Sequence, residues 1–128
     1  GLSYTHFEYS DMQLSTGHLA MGDTIEFSAN LHNAGAVTAE EVVQLYIRDL
    51  VGNVTRPIKE LKGFCRVRLD PGASQRVAFQ LHTDELAFFN RKMELVTEPG
   101  QFHVWIGGSS EADLWGEFEV VVPTAEAD

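Results

Sequence analysis

The sequence predicts an all-β fold, an antiparallel two-sheet β-sandwich of about seven strands. Three observations carry this expectation. Apolar and polar residues alternate cleanly in several runs, as from Thr24 to His32, where Ile25, Phe27, Ala29 and Leu31 fall on one face and Glu26, Ser28, Asn30 and His32 on the other. Turn signals rich in Gly, Pro and Asn separate these runs about every dozen residues. No stretch reads as a helix of ordinary length.

Taken in order, Phe7 to Met12 reads as a first edge strand, and Ser15 to Gly22, small and polar, as a turn region. The alternating strand at Thr24 to His32 ends at Asn33-Ala34-Gly35, where the chain turns. Glu41 to Asp49 is the next strand, with Val43, Leu45 and Ile47 on one face and Val42, Gln44 and Tyr46 on the other. A loop through Val51 to Pro57 follows. Phe64 to Leu69 alternates less cleanly, with Phe64, Val67 and Leu69 inward and Arg66 and Arg68 outward. Asp70-Pro71-Gly72-Ala73 has the residues a type II turn prefers. Val77, Phe79 and Leu81 mark another strand. Thr83 stands as an N-cap before Asp84-Glu85-Leu86, enough for one helical turn. Phe88 to Met93 is an aromatic segment with a polar turn, and Glu98-Pro99-Gly100 is a second Pro-Gly turn. Phe102, Val104 and Ile106 then alternate with Gln101, His103 and Trp105, and Glu117 to Val122 closes the fold with Phe118 and Val120 inward. Residues 123–128 form a small acidic tail, expected to fray.

Size and charge narrow the partners. A chain of 128 residues is expected to form one domain, 1–128, with a full core. Nine Lys and Arg face nineteen Asp and Glu, giving a formal net charge of −10. Phosphate backbones and anionic membrane surfaces demand the opposite sign, so neither nucleic acid nor a membrane is an expected partner. Cys65 is the only cysteine, which excludes an internal disulfide. The opening Gly1-Leu2-Ser3-Tyr4, without a Met, points to a module cut from a larger protein.

Five motifs occur in a telling order: Gly1-Leu2-Ser3-Tyr4-Thr5-His6-Phe7, Glu41-Val42-Val43-Gln44-Leu45-Tyr46, Arg56-Pro57-Ile58-Lys59-Glu60-Leu61-Lys62-Gly63-Phe64, Leu69-Asp70-Pro71-Gly72 and Glu98-Pro99-Gly100-Gln101-Phe102. Together they resemble the C-terminal fibronectin type III-like domain of glycoside hydrolase family three, the β-glucosidase and β-xylosidase family. The resemblance covers nearly the whole chain and implies an immunoglobulin or fibronectin type III-like sandwich, with 1–6 as a junction segment. It implies an accessory, non-catalytic module, because the two carboxylates of such enzymes lie in upstream domains. The implied partners are the catalytic domains of the same parent chain, with a carbohydrate or a second copy as alternatives. Periplasmic or secreted enzymes are favoured over cytoplasmic ones, and no cofactor is implied. One departure is Phe102, which stands where sandwich domains often place a Tyr whose hydroxyl bonds back to the backbone.

Catalytic and metal-binding constellations find no support in the spacing. Glu40-Glu41 and Asp84-Glu85 are neighbours that a strand would point to opposite faces, so they read as solvated acids. His6, His18, His32, His82 and His103 show no ligand spacing, and Cys65 has no nucleophile pattern around it. Asp49, Asn53 and loop carbonyls offer at most a weak cation site. Asn53-Val54-Thr55 matches a glycosylation sequon, relevant only in a secreted eukaryotic protein.

Two candidate surfaces remain. If the strands at 41–49 and 101–107 share a sheet, Tyr46 and Trp105 lie on its outer face beside Gln44 and His103. That makes them a contact face or a stacking platform for carbohydrate, unless the last strand or a loop covers them. The second surface is interdomain docking through Arg56, Pro57, Lys59, Phe88, Phe89 and Tyr4. Pro57 holds the Arg56 guanidinium on an extended path, ready for a carboxylate or for a turn of its own domain.

Overall fold

A computed structural model describes residues 6–50, 59–89 and 92–122. Ten strands occur among them: β1 (Phe7–Leu14), β2 (His18–Ala20), β3 (Thr24–Asn33), β4 (Ala39–Asp49), β5 (Glu60–Leu69), β6 (Ser74–His82), β7 (Phe88–Phe89), β8 (Leu95–Val96), β9 (Gly100–Gly107) and β10 (Trp115–Val121). Seven of these have seven or more residues, in line with the sandwich that the alternation predicts. One sheet runs β1-β3-β6, a second runs β2-β10-β9-β4-β5, and β7-β8 form a separate two-stranded ribbon.

The core lies between the two larger sheets. Ile25, Phe27, Ala29 and Leu31 of β3 and Val77 and Leu81 of β6 face Val43, Leu45 and Ile47 of β4, Phe102, Val104 and Ile106 of β9, and Phe118 and Val120 of β10. Each such buried Val, Leu, Ile or Phe side chain contributes about 1.5–3 kcal/mol relative to exposure. Phe118 is the hinge of the aromatic packing. Its ring stacks on Phe102 at 5.4 Å and tilts against Phe27 at 5.4 Å. Phe102, where a Tyr is common, is fully buried and fills the core with its bare ring.

Local chemistry sets the turns. Asn33 is fully buried at the end of β3; its Nδ2 donates to Val37 O and Leu69 O, both at 2.9 Å, and its Oδ1 accepts from Gly35 N at 2.9 Å. The bend after β3 is therefore built by one side chain. Gly72 takes a φ of +83° in the turn at 70–73, and Ala73 N donates back to Asp70 O at 3.0 Å, as the Pro-Gly signal predicts.

Four expectations need correction. Residues 15–22 are not all turn: His18–Ala20 adds in parallel to β10, burying Leu19, with Glu119 N donating to Gly17 O and Met21 N to Val121 O. A three-residue strand is too short for alternation to reveal it. Phe64 points outward, not inward. Cys65, Val67 and Leu69 share the inward phase, which puts Phe64 outward with Arg66 and Arg68, opposite Gln44. The register slip between Gly63 and Leu61 then brings Leu61 to the same outer face, opposite Tyr46. His82, not Thr83, caps the 3-10 turn at 83–86: its ring accepts from Asp84 N, and Glu85 accepts from His82 N at 2.9 Å. Thr83 is buried and its hydroxyl is taken by Gly22 N. Finally, β10 begins at Trp115 rather than Glu117.

The first strand carries a left-handed residue, Asp11, at φ 57°, where its pairing with β3 shifts register. The Arg76 guanidinium grips this bulge. It donates to Asp11 Oδ2 at 3.0 Å, to Asp11 O at 2.7 Å and to Ser28 Oγ at 3.1 Å.

Candidate functional site

β4 and β9 are neighbours in the five-stranded sheet, and Tyr46 stands directly opposite Trp105. The row continues on both sides, to Leu61 on β5 and to Trp115 on β10. Four strands therefore present Leu61, Tyr46, Trp105 and Trp115 across one outer face, roughly 14 Å wide at the usual strand spacing. The alternation that buries Leu45, Ile47, Val104 and Ile106 forces their neighbours outward, which is why these rings share a face.

The middle of the row is interlocked. The Tyr46 hydroxyl donates to Gln44 Oε1, and Gln44 Nε2 donates to Gly108 O at 3.0 Å. Lys59 Nζ lies 4.1 Å above the centre of the Trp105 ring and donates to Ser110 O at 2.6 Å. The ammonium covers one face of that indole, so Trp105 offers at most one face to a stacking ligand. His103 sets its edge against Trp105 at 5.7 Å, leans on Trp115 at 4.9 Å and places Nε2 3.3 Å from Glu117. The ends of the row are open: Trp115 is 52% and Leu61 50% exposed, and Phe64, one step along β5, is 62% exposed.

Of the residues singled out from sequence, Lys59, Tyr46 and Trp105 come together here. Tyr4, Arg56, Pro57 and Asn53 lie outside the described residues, as do the side chains of Phe88 and Phe89. The backbone of 88–89 belongs to the β7–β8 ribbon, apart from the five-stranded sheet. Sequence reasoning missed Trp115, Leu61 and Phe64. For Trp115 the signal existed, because the outward phase of Glu117 and Glu119 extends back to it. Gly116, however, sits on the inward phase and breaks the apolar pattern; a Cβ there would meet Met12 Sδ at 3.1 Å and Leu14 Cδ1 at 3.3 Å.

Among the described residues, the acids singled out from sequence have local uses rather than a shared centre. Glu41 is not simply solvated: it accepts from the Tyr9 hydroxyl at 2.6 Å, across the sandwich. Glu85 is spent on its helical cap. The histidines are dispersed, four of them beside an acid: His6 by Glu8, His18 by Glu119, His82 by Asp84 and His103 by Glu117, with His32 against Ser74 Oγ. Among the described residues no three His, Cys, Asp or Glu side chains gather as metal ligands, and Asp49 is buried. Burial pushes the Cys65 thiol up, away from the reactive thiolate. What the outer face can do is make apolar, aromatic and cationic contacts.

Comparison with known proteins matches this architecture. The family model of the fibronectin type III-like domain matches residues 41–110. A putative β-xylosidase of Formosa agariphila is 48% identical over 110 residues, covering 86% of this chain and 15% of that protein. The periplasmic β-glucosidase of Salmonella typhimurium is 36% identical over 121 residues, 94% of this chain and 16% of that one. Among solved structures, a β-glucosidase from Listeria innocua in complex with glucose superposes with a TM-score of 0.83 at 35% identity, over 94% of this chain and 16% of its own. The chain thus spans about one sixth of the length of the curated relatives that it matches.

Proposed function

The chain belongs to the fibronectin type III-like domain family, and from that premise we propose that it is a non-catalytic accessory module of a larger glycoside hydrolase of the β-glucosidase or β-xylosidase type. One observation carries the reading: relatives bearing those names match this chain over only 15–16% of their own length. The described residues support it, since their polar groups are spent on caps, bulges and turns rather than on a converging carboxylate pair. In this reading the module packs on the catalytic domains of the same chain, stabilises them and helps to shape the rim of their active site.

Deleting the module from the longer polypeptide tests this. The truncated enzyme should melt several degrees lower and lose at least tenfold in activity. A truncation that leaves folding, melting temperature and activity unchanged would sink the proposal.

A second reading, sugar binding through Tyr46 and Trp105, is favoured by the half-exposed indole of Trp115 at the end of the same row. It predicts retention of the chain on insoluble polysaccharide, lost in Trp105→Ala and Trp115→Ala. The accessory reading predicts no retention.

A further inference from the structure

Much of the positive charge of this acidic chain is gathered in one stretch of sequence. Of nine Lys and Arg residues, Arg56, Lys59, Lys62, Arg66 and Arg68 fall within thirteen consecutive positions, in a chain of net charge −10. The last four flank or lie on β5, the end strand of the five-stranded sheet, which among the described residues pairs with β4. Across its bulge, β5 presents Leu61, Phe64, Arg66 and Arg68 outward, opposite Tyr46, Gln44, Val42 and Glu40. Among the described residues, no ion pair or hydrogen bond engages the guanidinium of Arg66 or Arg68.

Cations on an end strand have an ordinary use, which is to keep other strands from adding to it. That explains Lys62, which turns back to Glu60 at 3.1 Å. It does not explain Phe64 at 62% and Leu61 at 50% exposure on the same strand, with Val42 beside them at 37%. Exposed apolar area next to idle arginines is the composition of a contact surface, because a buried aromatic and a desolvated Arg carry most of the energy of typical interfaces.

We propose that the outward side of β5, centred on Phe64 and Leu61 and flanked by Arg66 and Arg68, is where this chain seats on the body of the same, longer polypeptide. The surface it meets there is acidic around an apolar centre. The proposal rests on the accessory reading above. Charge complementarity selects this occupant. A neutral glycan offers the arginines no countercharge. About five sixths of each relative's length is available to supply the acidic partner surface.

Hydroxyl-radical footprinting of this chain alone and within the longer polypeptide tests the assignment. Phe64 and Leu61 should be oxidised at least fivefold more slowly in the longer polypeptide. Charge reversal by Arg66→Glu with Arg68→Glu should return Phe64 towards its rate in the chain alone, while Arg66→Lys with Arg68→Lys should keep it protected. Equal Phe64 rates in both proteins, with protection only at Trp115 or at Met93 and Leu95, would overturn this surface and leave the accessory reading standing. No protection anywhere would overturn both. Protection of Phe64 in the chain alone by added xylan or β-glucan would overturn the polypeptide occupant in favour of sugar, and protection insensitive to charge reversal would overturn the acidic complement.

Discussion

The Tyr9 hydroxyl donates to Glu41 Oε2 at 2.6 Å, and this bond ties β1 of the three-stranded sheet to β4 of the five-stranded sheet. Removing it in Tyr9→Phe leaves a half-buried carboxylate without its donor. Water can reach Glu41, so the expected cost is about 1–2 kcal/mol, at the lower end for hydrogen bonds to charged groups. Urea unfolding at neutral pH measures it.

Burial of the same hydroxyl, reinforced by this bond, makes stability fall at alkaline pH. Burial, and then the bond and charge of Glu41, hold the Tyr9 hydroxyl above its ordinary value of 10. Burial also raises Cys65 above its ordinary 9. Both groups keep their protons longer folded than unfolded. Their contribution is whole below the unfolded values and is lost as pH rises past about 9 for Cys65 and about 10 for Tyr9. The urea midpoint should therefore decline between pH 9 and 11, and Tyr9→Phe with Cys65→Ala should flatten that decline. A wild-type midpoint that stays level through this range contradicts the argument.

Asn33→Ala should be among the costlier polar substitutions. It strands the carbonyls of Val37 and Leu69 and the N–H of Gly35 around a fully buried position. At about 1–3 kcal/mol for an unsatisfied buried group, partly relieved by relaxation, the expected loss is about 2–4 kcal/mol. Thermal unfolding reads it, and Asn33→Asp should be no better, because a carboxylate cannot donate.

Gly107 has no room for a side chain: a Cβ there would lie 2.3 Å from the Ala112 Cβ. Gly107→Ala should cost about 1–3 kcal/mol, as overpacking does. The double substitution Gly107→Ala, Ala112→Gly should recover part of that loss. Failure of the second change to help would place the strain elsewhere.

Phe118→Ala removes the ring on which both Phe27 and Phe102 lean. The expected cost is about 3–5 kcal/mol. Denaturant titration with near-ultraviolet circular dichroism would show both the lower midpoint and the loosened aromatic core.

Strands whose alternation runs uninterrupted were legible from sequence. β3, β4 and β9 bury the very residues that their two-residue period selects, and the facing of Tyr46 and Trp105 follows from that period once the two strands are neighbours. Illegible features are those where local chemistry overrides the period. The bulge in β5 turned Leu61 outward, the tight crossing at Gly116 hid Trp115, and the ring of His82 took the capping role from Thr83. Lys59 over Trp105 is a long-range contact, between residues 46 positions apart, and no local pattern encodes it.

The parallel pairing of β2 with β10 has a mechanical consequence. The bonds of Glu119 to Gly17 and of Met21 to Val121 run between an early and a late part of the chain whose directions agree. Tension applied through residues 6 and 122 pulls these segments lengthwise past each other, so their bonds are loaded in shear and must yield together instead of unzipping singly. A pulling experiment should find a higher rupture force for the native chain than for Leu19→Pro, which removes a backbone donor from that seam. Equal forces would show that the seam bears no load.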